Sequence, residues 1–223
     1  MDELARDGNL VLRRREDGSL ELRANGIFVM DTVETSTERA LATRALALHA
    51  APARVLVGGL GLGFTLAAVL EDTRVQRADV IEIEPALVAW LRHGVVPHGP
   101  ELLADPRVAV TVADVTDALR DARPSTYDVV LLDVDNGPGY VVHDANAGLY
   151  EAPALDAARR ATRRGGMVVV WSAAQAPDLE TTMIGVFGRG RVEAISYPVD
   201  LQGRDETYWL YAGHVTDLST VRR

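Results

Sequence analysis

The sequence is constrained most by a glycine-rich segment that directly follows a short apolar run. Val55-Leu56-Val57 leads into glycines at positions 58, 59, 61 and 63, and a helical pattern begins at Phe64. A strand that turns through glycines into a helix places backbone N–H groups and a helix N-terminus beside a nucleotide in α/β sheets. A tight turn in an α/β protein of any function is the alternative interpretation.

An acid follows this loop at the spacing typical of ribose recognition. The next apolar strand, Ala78–Ile81, ends at Glu82, about twenty residues past the loop, where such folds place an acid for the ribose hydroxyls. The alternative interpretation is that Glu82 is a surface glutamate at a strand end, which would give the same sequence pattern. Loop, spacing and acid together favour a nucleoside site.

The spacing of the glycines limits which class of nucleoside the loop could bind. From Gly59 the chain reads G-L-G-L-G-F, so Phe64 stands where a dinucleotide fingerprint requires its third glycine, and no Gly-Lys-Ser/Thr follows. The spacing resembles the first motif of class I S-adenosylmethionine-dependent transferases. The intervening leucines add no charge, which suits a ligand without phosphate. We therefore expect S-adenosylmethionine, or its decarboxylated form, to contact this loop through four glycines: Gly58, Gly59, Gly61 and Gly63.

Composition excludes several classes of protein. The 223 residues, 48% hydrophobic and 25% charged, suffice for one globular domain with a small extension. There is no cysteine, and the five histidines lack ligand spacing, so we expect no metal site. The net charge of −9 argues against a nucleic-acid partner. Without a signal peptide or an apolar stretch of membrane-spanning length, we expect no membrane partner and a cytoplasmic location.

The pattern of elements predicts two parts. Residues 1–50 read as a small β-meander with Asp-Gly and Asn-Gly turns, then a capping box at Thr35–Glu38 and a helix over Ala40–His49. Residues 51–223 alternate strands and helices, which predicts an α/β, Rossmann-like, mostly parallel seven-stranded sheet with helices on both faces. The last two strands, Arg191–Tyr197 and Thr207–Ala212, are joined by the short link Pro198–Glu206, which predicts an antiparallel hairpin at the edge.

Three acids follow consecutive strands of that sheet. Glu82, Asp114 and Asp133 each come at a strand's carboxyl end, where ligands bind in such folds. Each could instead be a helix cap or a turn residue. We assign Glu82 to the ribose, Asp114 to the adenine amino group and Asp133 to the reaction centre. Ile83 and Val115, their neighbours, are expected to contact the cofactor as well.

The segment Tyr127–Asp133, followed by Val134–Gly139, resembles the spermidine synthase (polyamine aminopropyltransferase) family, whose pattern is Y-D-V-I followed by D-S-x-D-P-x-G. Leu149-Tyr150, Arg164–Gly166 and Ser196–Pro198 extend the resemblance over most of the chain. It implies transfer of an aminopropyl group from decarboxylated S-adenosylmethionine to a polyamine. It also implies a homodimer formed through the N-terminal meander and its helix.

The amine-handling residues of that family differ here. The glycine-loop Asp that holds the aminopropyl ammonium corresponds to Gly61, and the fourth residue of D-S-x-D, which helps to deprotonate the amine, corresponds to Asn136. The Tyr-His or Tyr-Gln pair of the family's polyamine channel corresponds to Ser36-Thr37, with Glu38 after it, and an upstream Gln of the family corresponds to Val29. Loss of two carboxylates should weaken a site built for a polycation by several kcal/mol.

The sequence therefore supports three hypotheses. The simplest is an S-adenosylmethionine-dependent methyltransferase acting on a small-molecule acceptor, because methyl transfer depends mainly on positioning and exclusion of water. The alternatives are an aminopropyltransferase and a non-catalytic nucleoside-binding homologue. Candidate catalytic residues are Asp133, Asp135 and Asn136. Candidate acceptor-binding residues are Glu38, His143, Tyr150 and Trp171, although a histidine in a loop and aromatics at element ends are often structural.

Overall fold

A computed structural model describes residues 1–134, 137–138, 144–201 and 204–216. The chain forms two sheets with helices packed around the larger one. The strands are β1 (Asp2–Asp7), β2 (Leu10–Arg14), β3 (Leu20–Ala24), β4 (Ile27–Asp31), β5 (Arg54–Gly58), β6 (Arg77–Glu82), β7 (Val108–Val112), β8 (Tyr127–Leu132), β9 (Thr162–Ser172), β10 (Val192–Leu201) and β11 (Arg204–His214). The helices are α1 (Ser36–Leu48), α2 (Phe64–Glu71), α3 (Pro85–Arg92), α4 (Gly99–Ala104), α5 (Val115–Asp121), α6 (Ala152–Ala161) and α7 (Pro177–Phe187), with a 3₁₀ helix at Asp144–Tyr150.

The N-terminal sheet is the predicted meander, enlarged by one strand. Its order is β1-β2-β3-β4, and every neighbouring pair is antiparallel. Asn25 and Gly26 turn the chain from β3 to β4 with φ of 54° and 77°, the left-handed conformation that a tight hairpin requires. Strand β1 was not predicted, because its sequence DELARD lacks apolar alternation and the strand pairs through its backbone at the sheet edge.

The main sheet has the predicted seven strands in the order β10-β11-β9-β8-β5-β6-β7. Strands β5 to β9 are parallel to one another, whereas β11 runs antiparallel to both of its neighbours. The strand order therefore reverses beside β5, which lies between β6 and β8. Ligands of open α/β sheets bind at such a switch point, outside the strands' carboxyl ends.

Several predicted boundaries were wrong. The edge hairpin extends through most of the predicted link, since β10 continues to Leu201 and β11 begins at Arg204. The capping box does not form: α1 begins at Ser36, Thr35 makes no side-chain cap bond, and the Glu38 carboxylate accepts a hydrogen bond from Thr37 Oγ1 instead. The short helix α4 was not predicted.

The N-terminal sheet shares one hydrophobic core with the main sheet. Leu12 and Leu22 of the meander, Leu41 of α1, and Val57 and Trp171 of the main sheet belong to the same buried cluster. The other face of the main sheet packs against α5, α6 and α7 in a second cluster. Because the meander is anchored in the first core, it holds strand β4 against the glycine loop.

No helix in the described parts of the chain combines the length and the hydropathy that a membrane span requires.

Candidate functional site

The glycine loop lies against the carboxyl end of β8. The Gly59 N–H donates to the carbonyl of Ile81 at 2.9 Å, and the Asp133 N–H donates to the carbonyl of Gly58 at 2.8 Å. Gly59 has φ +90°, and a Cβ at this position would lie 2.1 Å from the Asp133 carbonyl oxygen. Only glycine allows this approach of two backbones, so the loop packs directly on the residue that follows β8, and Gly59 and Asp133 line one cavity.

Glu82 holds the loop in place. Its Oε2 accepts a hydrogen bond from the Leu60 N–H at 2.7 Å, and its Oε1 accepts one from the Glu84 N–H at 2.8 Å. The side chain is buried, and burial raises the pKa of Glu82, against the lowering effect of these backbone donors. The predicted ribose acid therefore also fixes the geometry of the glycine loop.

A cavity, here called the loop cavity, opens beside these groups. The meander covers it on one side, and the strand ends line it on the other. Its lining residues are Leu10, Leu22, Ala24, Val29, Gly59, Gly61, Ile81, Glu82, Ile83, Glu84, Leu87, Ala113, Val115, Asp133, Val134 and Asn146. Besides Glu82, five of the predicted cofactor residues line the loop cavity, namely Gly59, Gly61, Ile83, Val115 and Asp133.

Three other predicted cofactor residues do not line the loop cavity. A Cβ at Gly58 would meet the side chains of Val115 and Leu132, and one at Gly63 would meet Leu102 of α4. Asp114 is the N-cap of α5, where its Oδ1 accepts from the Thr116 N–H at 2.6 Å. The structure thus gives Gly58 and Gly63 packing roles and Asp114 a capping role.

A second cavity, the junction cavity, adjoins the first at Val29, Gly61 and Asp133. It is lined by Val29, Met30, Glu38, Leu60, Gly61, Phe64, Thr65, Asp133 and Trp171. Thr65 Oγ1 donates to Asp133 Oδ2 at 2.5 Å and lies 3.3 Å from the Glu38 carbonyl oxygen. Burial raises the pKa of Asp133 to about 6, while the Thr65 hydrogen bond opposes that rise.

A third cavity, the acidic groove, continues from the junction cavity past Glu38. It is lined by Phe28, Val29, Met30, Asp31, Glu34, Thr37, Glu38, Trp171, Ala173 and Tyr208. The Trp171 and Tyr208 rings stack with centroids 5.4 Å apart. Burial raises the pKa of Tyr208, and the carboxylates of Glu206 and Glu38 raise it further. Carboxylates beside aromatic faces are the groups that bind organic cations.

Two of the predicted acceptor residues, Glu38 and Trp171, therefore lie at one site with Asp133. Tyr150 does not line it: its ring is buried and its hydroxyl donates to the Val134 carbonyl at 2.8 Å, which fixes a residue of the loop-cavity wall. The candidates Asp135, Asn136 and His143 lie outside the described residues.

Met30 occupies the space beside Gly61. The Leu62 N–H donates to Met30 Sδ at 3.2 Å. Gly61 has φ +50°, and a Cβ there would lie 2.7 Å from the same sulfur. A side chain at position 61 therefore requires Met30 to move.

Sequence reasoning missed Met30, Thr65, Glu34 and Tyr208. Met30 and Glu34 come from the meander and its connection to α1, far from the glycine loop in sequence, so no local pattern joins them to the site. Thr65 reads as an ordinary residue of the first turn of α2. Tyr208 gave a weak signal, as an aromatic residue in a strand predicted to lie near the sheet edge.

The comparisons with known proteins agree on one family. The model of the spermine/spermidine synthase domain matches residues 34–187. A putrescine N-methyltransferase 3 from Nicotiana tabacum is 30% identical over 117 residues, which are 52% of this chain and 29% of that protein. A polyamine aminopropyltransferase 1 from Hyperthermus butylicus is 29% identical over 160 residues, covering 67% of this chain and 54% of that protein. The chain thus aligns with less than a third of the Nicotiana tabacum protein and about half of the Hyperthermus butylicus protein.

The fold has close structural neighbours. A spermidine synthase solved in complex with the transition-state analogue AdoDATO superposes with a TM-score of 0.78 at 18% identity, covering 97% of this chain and 74% of that one. At this identity the likeness shows the shared fold.

Proposed function

The chain belongs to the spermine/spermidine synthase family, and from this premise we propose that it is a transferase that uses S-adenosylmethionine to methylate a small-molecule amine. One observation supports this most strongly: the junction cavity adjoins the loop cavity at Gly61 and Asp133 and opens into the acidic groove at Glu38. A nucleoside in the loop cavity would place its sulfonium next to a cationic acceptor that enters from the acidic groove. Positioning of this kind supplies most of what a displacement at a sulfonium needs.

The acceptor class follows from the charge of the groove. Asp31, Glu34 and Glu38 line it together with the Trp171 and Tyr208 rings. Asp31 is already paired with Arg15 at 2.7 Å, so Glu34 and Glu38 are the carboxylates offered to a ligand. A diamine in its cationic form satisfies these groups, and the related putrescine N-methyltransferases bear the name of such an acceptor.

The donor follows from Gly61 and Met30. Decarboxylated S-adenosylmethionine ends in an ammonium without a counter-charge, which calls for a carboxylate beside it. The wall at this point is a glycine and a thioether. The tail of intact S-adenosylmethionine is zwitterionic, so it requires no such carboxylate. We therefore favour the intact donor.

An aminopropyltransferase is the second candidate function. Glu38 and Asp133 present two carboxylates to the junction cavity, and together they could receive the ammonium that Gly61 does not. A relative that aligns with 67% of this chain is named polyamine aminopropyltransferase 1.

Calorimetric titration with the two donors in parallel distinguishes these functions. We expect the wild-type protein to bind S-adenosylmethionine about tenfold more tightly than the decarboxylated form, a difference in binding free energy of about 1.4 kcal/mol. The double variant Met30→Ala, Gly61→Asp makes room for a carboxylate in a left-handed position that aspartate tolerates. Relative to the matched control Met30→Ala, it should shift preference towards the decarboxylated donor. Preference of the wild type for the decarboxylated form would instead support aminopropyl transfer.

A further inference from the structure

We propose that Glu38, where the junction cavity opens into the acidic groove, is the general base that accepts a proton from the acceptor amine. The assignment rests on the proposed function, transfer to an amine. It gives a chemical role to a carboxylate that sequence reasoning assigned only to acceptor binding.

The position of Glu38 suits the acceptor side of the reaction. Asp133 lines the loop cavity and the junction cavity, whereas Glu38 lines the junction cavity and the acidic groove. In an in-line displacement the nucleophile approaches from the side opposite the leaving sulfur. With the donor in the loop cavity, the attacking nitrogen comes from the groove, and Glu38 is the carboxylate shared by the groove and the junction.

Hydrogen bonds hold the two carboxylates differently. Thr65 Oγ1 has one proton, and its shorter contact is to Asp133 Oδ2 at 2.5 Å, so it restrains Asp133. Thr37 Oγ1 donates to Glu38 Oε2 at 2.7 Å. A carboxylate can accept several hydrogen bonds, so Thr37 orients Glu38 and the Oε1 atom retains capacity for the amine.

The electrostatic surroundings of Glu38 favour proton uptake. Burial, and after it the charges of Asp133 and Glu34, raise the pKa of Glu38 to about 7, against the lowering effect of the Thr37 hydrogen bond. Asp31 of β4 and Tyr208 of β11 also border the groove, and among the described residues that line the junction cavity and the groove there is no arginine or histidine. A base whose pKa lies near the working pH transfers protons most effectively.

The proton and electron changes balance without another reactant. The bound ammonium R–NH₃⁺ gives one proton to the Glu38 carboxylate and becomes R–NH₂. The nitrogen lone pair forms a bond to the donor methyl carbon while the carbon–sulfur bond breaks, and that electron pair stays on sulfur as a thioether. The methylated product leaves as an ammonium, and Glu38 releases its proton to water. Transfer of an aminopropyl group from the decarboxylated donor would use the same proton step.

Glu38→Gln tests the assignment, because it keeps the size of the side chain and removes its basicity. With putrescine as acceptor and each donor supplied separately, we expect kcat at pH 7.5 to fall about 100-fold, with the calorimetric affinity for S-adenosylmethionine unchanged. In the wild type, activity should rise with pH through about 7 as Glu38 ionises. This rising limb of the pH–activity profile should vanish in Glu38→Gln and persist in Glu38→Asp. The matched control is Glu71→Gln, which removes an exposed charge of α2 that is paired with Arg39 outside the site.

The outcomes separate the two proposals. If the wild type transfers to putrescine and Glu38→Gln keeps both kcat and the pH limb, Glu38 is not the base and the proposed function stands. If the wild type forms no amine product with either donor, the proposed function fails and this inference fails with it.

Discussion

Replacing Glu82 with alanine is expected to weaken binding of the adenosyl donor by about 1,000-fold. The buried carboxylate accepts hydrogen bonds from the backbone N–H groups of Leu60 and Glu84, and we assign the ribose hydroxyls to the same group. Removing it leaves two backbone donors without their partner and releases the glycine loop. Each hydrogen bond to a charged group contributes about 1.5–3 kcal/mol.

Calorimetry with S-adenosylmethionine measures this effect. Asp79→Asn is the matched control, because Asp79 is also a buried acid of β6 but pairs with Arg54 and Arg77. It should lower stability and leave donor affinity unchanged. Equal affinities for wild type and Glu82→Ala would show that the donor does not bind at the loop cavity.

Gly59→Ala is expected to lower the free energy of unfolding by more than about 4 kcal/mol, the range reached only by severe defects. The added Cβ would lie 2.1 Å from the Asp133 carbonyl oxygen, and φ at this residue is +90°. The position of the Cβ is set by the backbone, and the atom that it meets is a backbone carbonyl next to the hydrogen bond from the Asp133 N–H to the Gly58 carbonyl, so relief of the clash requires the ends of β5 and β8 to separate.

Denaturant unfolding followed by circular dichroism measures the change, with Gly185→Ala as the control. Gly185 lies inside helix α7, and a Cβ there has open space within 4 Å. Alanine at that position should stabilise the protein by up to about 1 kcal/mol. Comparable stabilities for the two variants would contradict the close backbone approach described at Gly59.

Much of the fold could be predicted because its signals are local. The runs Val55–Val57, Ala78–Ile81 and Tyr127–Leu132 are apolar enough to mark buried parallel strands, and the glycines mark the turn between β5 and α2. The positions of Glu82 and Asp133 follow, since parallel strands end at one edge of the sheet.

The rest of the site depends on contacts between distant segments. The thioether of Met30 reaches the loop only because the meander shares the core of the main sheet. Gly63 packs against α4, a short helix with no clear sequence signal, so this contact could not be predicted. Glu38 reads as half of a capping box, yet its carboxylate turns to Thr37 and the junction cavity.

The most direct test of the proposed function is product analysis of the wild-type protein by mass spectrometry. The protein would be incubated with putrescine and an equimolar mixture of S-adenosylmethionine and its decarboxylated form. We predict N-methylputrescine and S-adenosylhomocysteine, in amounts that depend on both substrates. Spermidine with methylthioadenosine would contradict methyl transfer and establish the aminopropyl reaction, and the absence of any amine product would contradict both.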